Sequence, residues 1–310
     1  MSERSRSGAR AFGLLGFLQL VAAGILWFWS GPYFTQLLGE FRVASTLLAL
    51  VLALLGLWRG TATTRALLTL NLAVQFAFWA LPWRTVAASE SESALVLGLH
   101  NVRIHGGDVD RAVEHLVREG VQILALLEVS PADLERIDAK LEGFEPIHVP
   151  RDDPFGAGLW SSLPVLDKRV THAGRTWIPA LEMRVEHAGR VVRVVATHPP
   201  PPVDPARALA RNEALADLAQ QARTSSEPMV VLADLNATRW SRAFRDTLGS
   251  GSLESTAQFR NKPTWPAFAG CLGLPIDHIL WNNRFEPSRI AIGPAFGSDH
   301  RSVVVALEKR

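Results

Sequence analysis

Apolar positions follow two different patterns along the chain, in long runs before residue 84 and in short runs after residue 93. The long runs cover residues 11–29, 43–58 and 66–83, and tryptophans lie near their ends. About 20 apolar residues span a bilayer as a helix, and tryptophan is enriched at membrane interfaces. The pattern predicts three transmembrane helices. A signal peptide would be followed by soluble sequence, and buried core helices would show polar faces.

Arginines near these runs predict their orientation. The loop between the first and second runs carries Arg42 beside Glu40. The other basic residues lie in the amino-terminal tail and between the second and third runs: Arg4, Arg6, Arg10, Arg59 and Arg65. Cytoplasmic loops carry an excess of basic residues. We therefore expect the amino terminus inside the cell and everything after Arg84 in the periplasm or outside the cell.

The short runs after a small, polar linker at residues 85–93 predict a second domain at 94–310. Hairpin signals occur here together with crossover helices, which favours an α/β sandwich over a purely parallel sheet. Strands are predicted at 94–100, 121–127, 182–186, 190–196, 229–233, 276–281 and 303–307, and helices at 110–120, 131–141 and 206–223.

Composition narrows the classes of protein. Hydrophobic residues make up 48% of the 310 positions and charged residues 20%, which argues against a disordered chain. Cys271 is the one cysteine, so intrachain disulfides and multi-cysteine zinc sites are excluded. The formal net charge of +2 divides into +5 over residues 1–84 and −3 over residues 85–310. The basic balance therefore does not indicate a nucleic-acid surface.

Polar side chains lie where the predicted strands begin or end. Each of them alone is typical of a turn or a cap, but so many at strand ends indicate a functional site. They are Asn101, Glu128, His198, Asp234, Asn236, Asp277, His278, Ser298, Asp299 and His300.

The chemistry of this set suits metal-assisted hydrolysis of a phosphoester. Mg²⁺ takes oxygen ligands and few carboxylates, so Glu128 and Asp299 are natural ligands, with Asn101 supplying an amide oxygen. The two histidines, His198 and His300, can donate hydrogen bonds to phosphate or transfer protons.

Three further residues have supporting roles in this interpretation. Asp277 can fix the tautomer of a histidine. Asp234 and Asn236 are two residues apart, so on an extended backbone their side chains share a face and can position an attacking water.

At this point the motifs resemble those of a known family. From about residue 94 to 308 the chain is similar to the endonuclease/exonuclease/phosphatase superfamily, the fold of deoxyribonuclease I, abasic-site endonucleases, neutral sphingomyelinases and inositol-polyphosphate 5-phosphatases. The three apolar runs resemble a bacterial membrane-anchored branch. The matching segments are LGLHNVR, LALLEVS, FGAGLWSSLPV, ATHPPPP, VVLADLNATRW, PTWP, PIDHIL and GSDHRSVVV.

The resemblance implies a four-layered α/β sandwich, preceded here by three transmembrane helices in a bacterial inner or cell membrane. It implies Mg²⁺ or Mn²⁺ held by Asn101, Glu128 and Asp299. The implied catalytic residues are His198 for the transition state or leaving group, Asp234 for water activation, Asn236 for phosphate binding, and Asp277 paired with His300.

The family pattern is incomplete between the Glu128 and His198 motifs. Many nucleases place a tyrosine and an arginine there, whereas the one tyrosine of this chain is Tyr33. The segment HVPRDDPFGAG offers His148 or Arg151 as substrate-binding substitutes, although a solvated loop is the alternative for both residues.

These observations predict a membrane-anchored, metal-dependent phosphoester hydrolase of the phosphodiesterase or nuclease type, with its catalytic domain outside the cytoplasm. Nucleases are common in the family, but a net charge of −3 and four lysines in the whole chain do not suit general DNA binding. A phosphodiesterase or phosphatase for lipids or inositol phosphates is therefore an alternative. A non-catalytic phosphoester-binding module is a further class, against which the complete polar set argues.

Overall fold

The computed structural model describes residues 3–28, 33–59, 61–79, 84–86, 93–259 and 263–310. Over these residues the chain divides into two compact units. The first contains Met1–Trp83 and Trp240–Arg242, and the second contains Arg84–Arg239 and Ala243–Arg310.

The first unit is helical. Its helices are α1 (Glu3–Phe28), α2 (Tyr33–Glu40), α3 (Arg42–Arg59) and α4 (Ala62–Trp79). Leu68 of α4 is buried with Leu52 and Ala53 of α3. A Cβ at Gly16 or Gly56 would overlap a terminal methyl group of Leu68, so the Leu68 side chain would have to shift.

Polar side chains connect helices within this unit. Asn71 Nδ2 donates to Gln19 Oε1 at 2.8 Å, and Gln19 Nε2 donates to the carbonyl of Ser45 at 2.5 Å. These bonds satisfy polar groups that would otherwise be costly to bury.

The prediction of three transmembrane helices is wrong, and with it the multi-pass localisation in a bacterial membrane. No helix in the part of the chain that the structure describes is long and apolar enough to span a bilayer. Helices α3 and α4 have 18 residues each, about 27 Å at 1.5 Å per residue, and include Arg42, Arg59 and Arg65.

The apolar runs also extend beyond what the structure describes. The third run, 66–83, continues past the end of α4 at Trp79 into residues 80–83, and the first run ends at residue 29; these positions lie outside the described residues.

Among the residues that the structure describes, the second unit holds two six-stranded sheets and four α-helices. The first sheet has the order β11-β12-β1-β2-β4-β3 and the second β5-β6-β7-β8-β10-β9. The strands are β1 (Leu95–Asn101), β2 (Ile123–Leu127), β3 (Glu145–Val149), β4 (Ala157–Ser161), β5 (Val165–His172), β6 (Pro179–His187), β7 (Arg190–Thr197), β8 (Met229–Asp234), β9 (Leu253–Ser255), β10 (Asp277–Asn282), β11 (Phe285–Ile292) and β12 (Val303–Lys309); the helices are α5 (Val109–Arg118), α6 (Pro131–Lys140), α7 (Pro205–Thr224) and α8 (Arg242–Gly251).

Alternating strand residues build three apolar layers. Leu97, Leu99 and Ile123 of the first sheet pack against the second sheet in a central core. The opposite face of the first sheet packs on α5 and α6, and the outer face of the second sheet packs on α7 and α8. The unit is therefore an α/β/β/α sandwich, which confirms the α/β sandwich part of the predicted fold.

The register of the strands brings the ends of both sheets together at one edge. In the first sheet β1 and β2 are parallel, so Asn101 and the residue after Leu127 leave the sheet side by side. In the second sheet Asp277 of β10 is directly opposite Asp234 of β8. Several of the polar residues predicted from the sequence lie at these strand ends.

The segment before the first sheet is attached to the second sheet. Arg84 forms a bridge with Phe259, its backbone N–H donates to Gln258, and its guanidinium pairs with Glu254 at 2.6 Å. The predicted linker, 85–93, includes residues 87–92, which lie outside the described residues. The extent of a catalytic domain over residues 94–310 stays a prediction.

Candidate active site

Asp234 lies at the centre of the polar cluster. Its side chain is buried at the end of β8, and Oδ2 accepts a hydrogen bond from Asn101 Nδ2 at 3.2 Å. The same oxygen is 3.3 Å from His198 Nε2 and 3.7 Å from His300 Nδ1. Burial works to raise the pKa of this carboxyl, but the two histidines outweigh it and lower the pKa to about 2. Asp234 is therefore ionised at neutral pH.

Asp277 and His300 form a hydrogen-bonded pair. His300 Nδ1 is 2.9 Å from one carboxylate oxygen of Asp277 and 3.1 Å from the other. Burial works to lower the pKa of His300, but Asp277 and Asp234 raise it to about 10, which favours the imidazolium. Burial raises the pKa of Asp277, with Asp234 adding to this and His300 opposing it.

Thr264 binds the backbone at the start of β10, where Asp277 supplies the carboxylate of this pair. Thr264 Oγ1 accepts hydrogen bonds from the backbone N–H groups of Ile276 and Asp277, each at 3.2 Å. The threonine hydroxyl therefore holds the point where the strand begins.

His198 is oriented by a backbone carbonyl. Its Nδ1 lies 3.1 Å from the carbonyl oxygen of Pro154, which leaves Nε2 facing Asp234. Burial opposes the imidazolium, yet the Asp234 carboxylate, with a further contribution from Glu128, raises the pKa of His198 above its usual value. The protonated ring can donate a proton from Nε2.

Asn236 lies beside His198. Its backbone has a left-handed conformation with φ of 48°, and its N–H donates to Asp234 Oδ1 at 3.0 Å. Its Nδ2 is 3.2 Å from His198 Nε2 and 3.0 Å from the Pro199 carbonyl. The chain thus turns after Asp234, unlike the extended backbone from which the shared face was predicted.

Glu128 and Asn101 meet at the ends of β1 and β2. Asn101 Nδ2 donates to Glu128 Oε1 at 2.9 Å, and the backbone N–H of Ile104 donates to Oε2 at 3.0 Å. Glu128 itself has a φ of 60°, a strained conformation for a residue other than glycine. Strain of this kind occurs at functional sites, where the surrounding structure supports it.

Asp299 is connected to Asn101 through Arg103. Its Oδ2 accepts a hydrogen bond from Trp265 Nε1 at 2.9 Å, and its Oδ1 lies 3.8 Å from Arg103 Nε. The backbone N–H of Arg103 in turn donates to Asn101 Oδ1. The neighbouring Ser298 donates from Oγ to the Asn101 carbonyl at 2.7 Å.

The donor set fits a divalent cation. Atoms of Asp234, Asp277 and His300 lie within 4.8 Å of one another, but His300 and Asp277 already share a hydrogen bond. Glu128, with Asn101 and Asp299, offers further hard oxygen atoms at the same edge. Asp234 and Asp277 repel each other, since the Asp234 carboxylate raises the pKa of Asp277, and a cation at this edge would offset that repulsion.

The two weakly predicted substrate residues have different positions. His148 lies on the helix-packed face, 3.9 Å from Asp138, with its ring tilted against Trp160 at a centroid distance of 6.4 Å. Arg151 lies on the segment that reaches His198 through Pro154, and it pairs with Asp153.

His278 is also placed apart from the cluster, as the alternation of a strand requires. Its Nε2 is 2.8 Å from the Ala237 carbonyl, and its Nδ1 is 3.4 Å from Ser255 Oγ. Burial lowers its pKa to about 4, so the ring is neutral.

The sequence interpretation missed several residues that support the site. Thr264 and Trp265 belong to the PTWP segment. The spacing between this segment and the strand-end residues does not show which residues Thr264 and Trp265 contact. Phe155 and Trp177 have no polar signature at all, yet Phe155 packs on His198 with ring centroids 5.8 Å apart.

Comparison with known proteins defines the class. The model of the Endonuclease/Exonuclease/phosphatase family matches residues 48–300. The chain therefore belongs to this family, which confirms the resemblance that its motifs indicate. No curated protein matches the chain in sequence.

Solved structures share the fold at low sequence identity. An endonuclease/exonuclease/phosphatase from Bacteroides vulgatus is 18% identical, with a TM-score of 0.59 over 71% of this chain and 100% of that chain. TDP2 of D. rerio, complexed with single-strand DNA product, is 14% identical, with a TM-score of 0.58 over 70% and 100%. A mannosyl-6-phosphatase of Bacteroides thetaiotaomicron is 16% identical, with a TM-score of 0.57 over 69% and 99%. These matches show the fold alone.

Proposed function

We propose that the chain is a phosphoester hydrolase that requires Mg²⁺ or Mn²⁺. One observation carries the proposal: the ionised carboxylate of Asp234 lies 3.3 Å from Nε2 of His198, within a buried network at the ends of both sheets. A base and an acid side by side suit the addition of water and the departure of an alcohol.

Asp234 and His198 have complementary roles in this proposal. Asp234 accepts a hydrogen bond from the attacking water, orients it, and takes up its proton as the new O–P bond forms. Since the pKa of Asp234 is about 2, orientation is its larger contribution. His198, with a raised pKa, gives the Nε2 proton to the leaving oxygen as the old P–O bond breaks.

His300 and Asn236 act on the phosphate group. The Asp277 carboxylate holds Nδ1 of His300, so the opposite nitrogen of the ring is free to donate toward a phosphate oxygen. Asn236, fixed by Asp234 and Pro199, binds the phosphate beside His198. Donors held in advance stabilise the charge that develops on the phosphoryl oxygens.

Glu128, Asn101 and Asp299 would hold the cation. When bound, Mg²⁺ or Mn²⁺ supplies positive charge that stabilises the developing negative charge on phosphate. The oxygen donors favour these hard cations over zinc.

Nucleic acids and smaller phosphoesters are the two candidate classes of substrate. The net charge of −3 over residues 85–310 disfavours general DNA binding. Proteins of similar fold include one with a DNA product and one that is a sugar phosphatase, at 14% and 16% identity. A small phosphoester or a lipid or inositol phosphate therefore stands beside nucleic acid as a candidate.

The test is hydrolysis by the full chain of DNA, RNA, sphingomyelin, inositol phosphates and sugar phosphates, each with Mg²⁺, with Mn²⁺ and with EDTA. We expect cation-dependent turnover of at least one substrate and a loss of 10³-fold or so in Asp234→Asn. The exposed Asp167→Asn is the matched control and should retain activity. Binding of a phosphoester without turnover by folded protein would instead support a non-catalytic binding module.

A further inference from the structure

A short loop between β5 and β6, residues 173–178, exposes a tryptophan. Trp177 is 57% exposed, whereas Trp160 and Trp281 of the same unit are at most 1% exposed. Exposing a large aromatic ring to water is unfavourable, so an exposed ring often indicates a binding surface.

The loop is rigidly built, so the exposure of Trp177 is fixed by the structure. Ala173 and Ile178 at its ends are buried and hydrogen-bonded to each other. The backbone N–H of Gly174 donates to Asp217 of α7 at 3.3 Å, and the φ of 62° at Gly174 permits the tight turn. Thr176 Oγ1 donates to the Ala173 carbonyl at 2.7 Å.

A row of rings connects Trp177 to the active site. Trp177 packs edge-to-face on Phe155 with centroids 4.8 Å apart, and Phe155 packs on His198 at 5.8 Å. The segment that carries Phe155 is tied to the residue after Glu128, because Val129 exchanges backbone hydrogen bonds with Arg151 and Gly156. The rings therefore extend outward from the side of the site where His198 lies.

Arg151 adds to the aromatic surface without offering a free positive charge. Its guanidinium lies 5.1 Å from the centroid of Trp177 and forms a bidentate pair with Asp153, at 2.6 to 3.0 Å. The pair leaves little charge for a second phosphate. The guanidinium plane instead holds the indole ring in place.

The surroundings of Trp177 favour a flat ring over an alkyl chain. Chain-binding sites are concave and mostly apolar. Trp177 contacts the ring of Phe155 and the guanidinium of Arg151, and its sequence neighbours Arg175 and Thr176 are charged or polar. A fixed and exposed aromatic ring is typical of stacking sites, which bind planar groups.

We propose that Phe155, Trp177 and Arg151 form a leaving-group subsite that selects phosphoesters whose alcohol carries a planar aromatic ring. This inference rests on the proposed function. Water attacks phosphorus, the bond to the ring-bearing alcohol breaks, and His198 returns a proton to its oxygen; because the rings extend from His198, the ring of that alcohol lies against Trp177. A phenol and a nucleoside both present such a ring.

The experiment compares esters of one phosphate type that carry a phenyl, a thymidin-5′-yl or a hexyl group. For each ester, kcat/KM of the wild type is divided by that of Trp177→Ala, so that intrinsic reactivity cancels. We expect a ratio of about ten for at least one ring-bearing ester, in the range of stacking on an aromatic side chain, and below two for hexyl. Which ring-bearing ester responds distinguishes a phenol from a nucleoside.

Two further variants separate stacking from structural damage. Trp177→Phe should retain at least half of the preference for rings, because it keeps an aromatic face. Leu166→Ala removes an exposed apolar side chain, 53% exposed, from the other end of β5, and should leave all ratios unchanged. Equal Tm values check that folding is intact.

Equal ratios for all three esters, or ratios near one, would overturn the subsite. If the wild type hydrolyses no ester, the proposed function fails instead, and binding decides the subsite. Phenyl phosphate and thymidine 5′-phosphate should then bind the wild type at least fivefold more tightly than Trp177→Ala, as measured by calorimetry. Equal binding by both proteins would overturn the inference.

Discussion

At the level of single residues, Asp277 and His300 act as one pair in the proposed reaction. The carboxylate holds the imidazole nitrogen at 2.9 Å, within a buried environment where neither group has another ionic partner as close. Removal of either residue leaves the other misplaced or buried without its counter-charge.

The first prediction concerns this pair. Asp277→Asn should lower kcat/KM by about 10²-fold, and His300→Ala by a similar or larger factor. The double variant should be little worse than the poorer single variant, because the two residues act as a unit. Steady-state kinetics of the four proteins test this; losses that multiply would show that the residues act independently.

The second prediction concerns the cation. Glu128→Gln keeps the shape of the side chain but removes a charge, so half-maximal activation should need at least tenfold more Mg²⁺. Titration of activity with Mg²⁺ measures the shift. Cys271→Ser is the control, since this exposed thiol is no ligand in the account and its loss should change nothing. Loss of activity in folded Cys271→Ser would contradict the proposed ligand set.

The placement of the candidate residues at converging strand ends could be predicted because strand ends are visible in sequence. Asn101, Glu128, Asp234 and Asp277 each interrupt or follow an apolar run, and parallel or paired strands must bring such ends together. The supporting contacts could not be predicted, since the Trp265–Asp299 bond joins segments 34 residues apart in sequence.

Several strands with both faces buried are predicted by the sequence, and β1, β2, β8, β10 and β12 lie within a residue or two of their predicted bounds. The sequence interpretation missed β3, β4, β5, β9 and β11. Three of these depart from a buried-strand pattern: β5 is largely exposed, β3 begins with Glu145 and Pro146, and β11 contains Pro287 beside a register shift. Strand β9 has only three residues, and β4 is buried but short, with Gly158 within it. An edge strand needs no apolar pattern because its outer face contacts water.

The third prediction concerns His278 in β10. Its pKa is lowered to about 4 by burial, against the opposing effects of the Ala237 carbonyl and Asp234, so the unfolded chain binds this proton more tightly. The free energy of unfolding is therefore unaffected by this group above pH 6.5, and it falls by about 2–3 kcal/mol as the pH falls toward 4. His278→Gln should reduce that pH dependence, measured by urea denaturation at pH 7 and 4.5.

The matched control for His278 is His172, an exposed histidine at the end of β5. His172→Gln should leave the pH dependence of the free energy of unfolding unchanged. An unchanged pH dependence in His278→Gln would show that the buried ring is not the group responsible.

In the molecule as a whole, residues that precede the predicted start of the catalytic domain at residue 94 pack against the sandwich. Arg84 and Val86 lie against the sandwich, Arg84 through Glu254 and Gln258, and Val86 against the central core. We predict that a chain of residues 84–310 is more stable than one of residues 94–310.

The expected difference is about 1–2 kcal/mol, from one half-exposed ion pair, one backbone hydrogen bond and one partly buried valine. Urea denaturation of both chains measures it. Arg84→Ala in the longer chain should remove part of the difference, whereas Arg190→Ala, an exposed arginine on β7, should not. Equal stability of the two chains would contradict the assignment of residues 84–86 to this unit.

Hydropathy alone does not predict which apolar environment surrounds the amino-terminal runs. An apolar run predicts burial in some apolar environment, but Gln19 and Asn71 already bond to each other within a helical unit, and the described helices are too short or too polar to span a bilayer. The sandwich was predictable because its strand pattern and its motifs agree, and the family model matches residues 48–300.

In the proposed reaction, a water molecule oriented by Asp234 attacks the phosphorus atom. Hydrolysis of the best phosphoester substrate in H₂¹⁸O, followed by mass spectrometry of both products, tests it most directly. We predict one ¹⁸O atom in the phosphate product, none in the alcohol, and a rate lowered by about 10³-fold in Asp234→Asn. Label in the alcohol, or the same rate without the Asp234 carboxylate, would contradict the account.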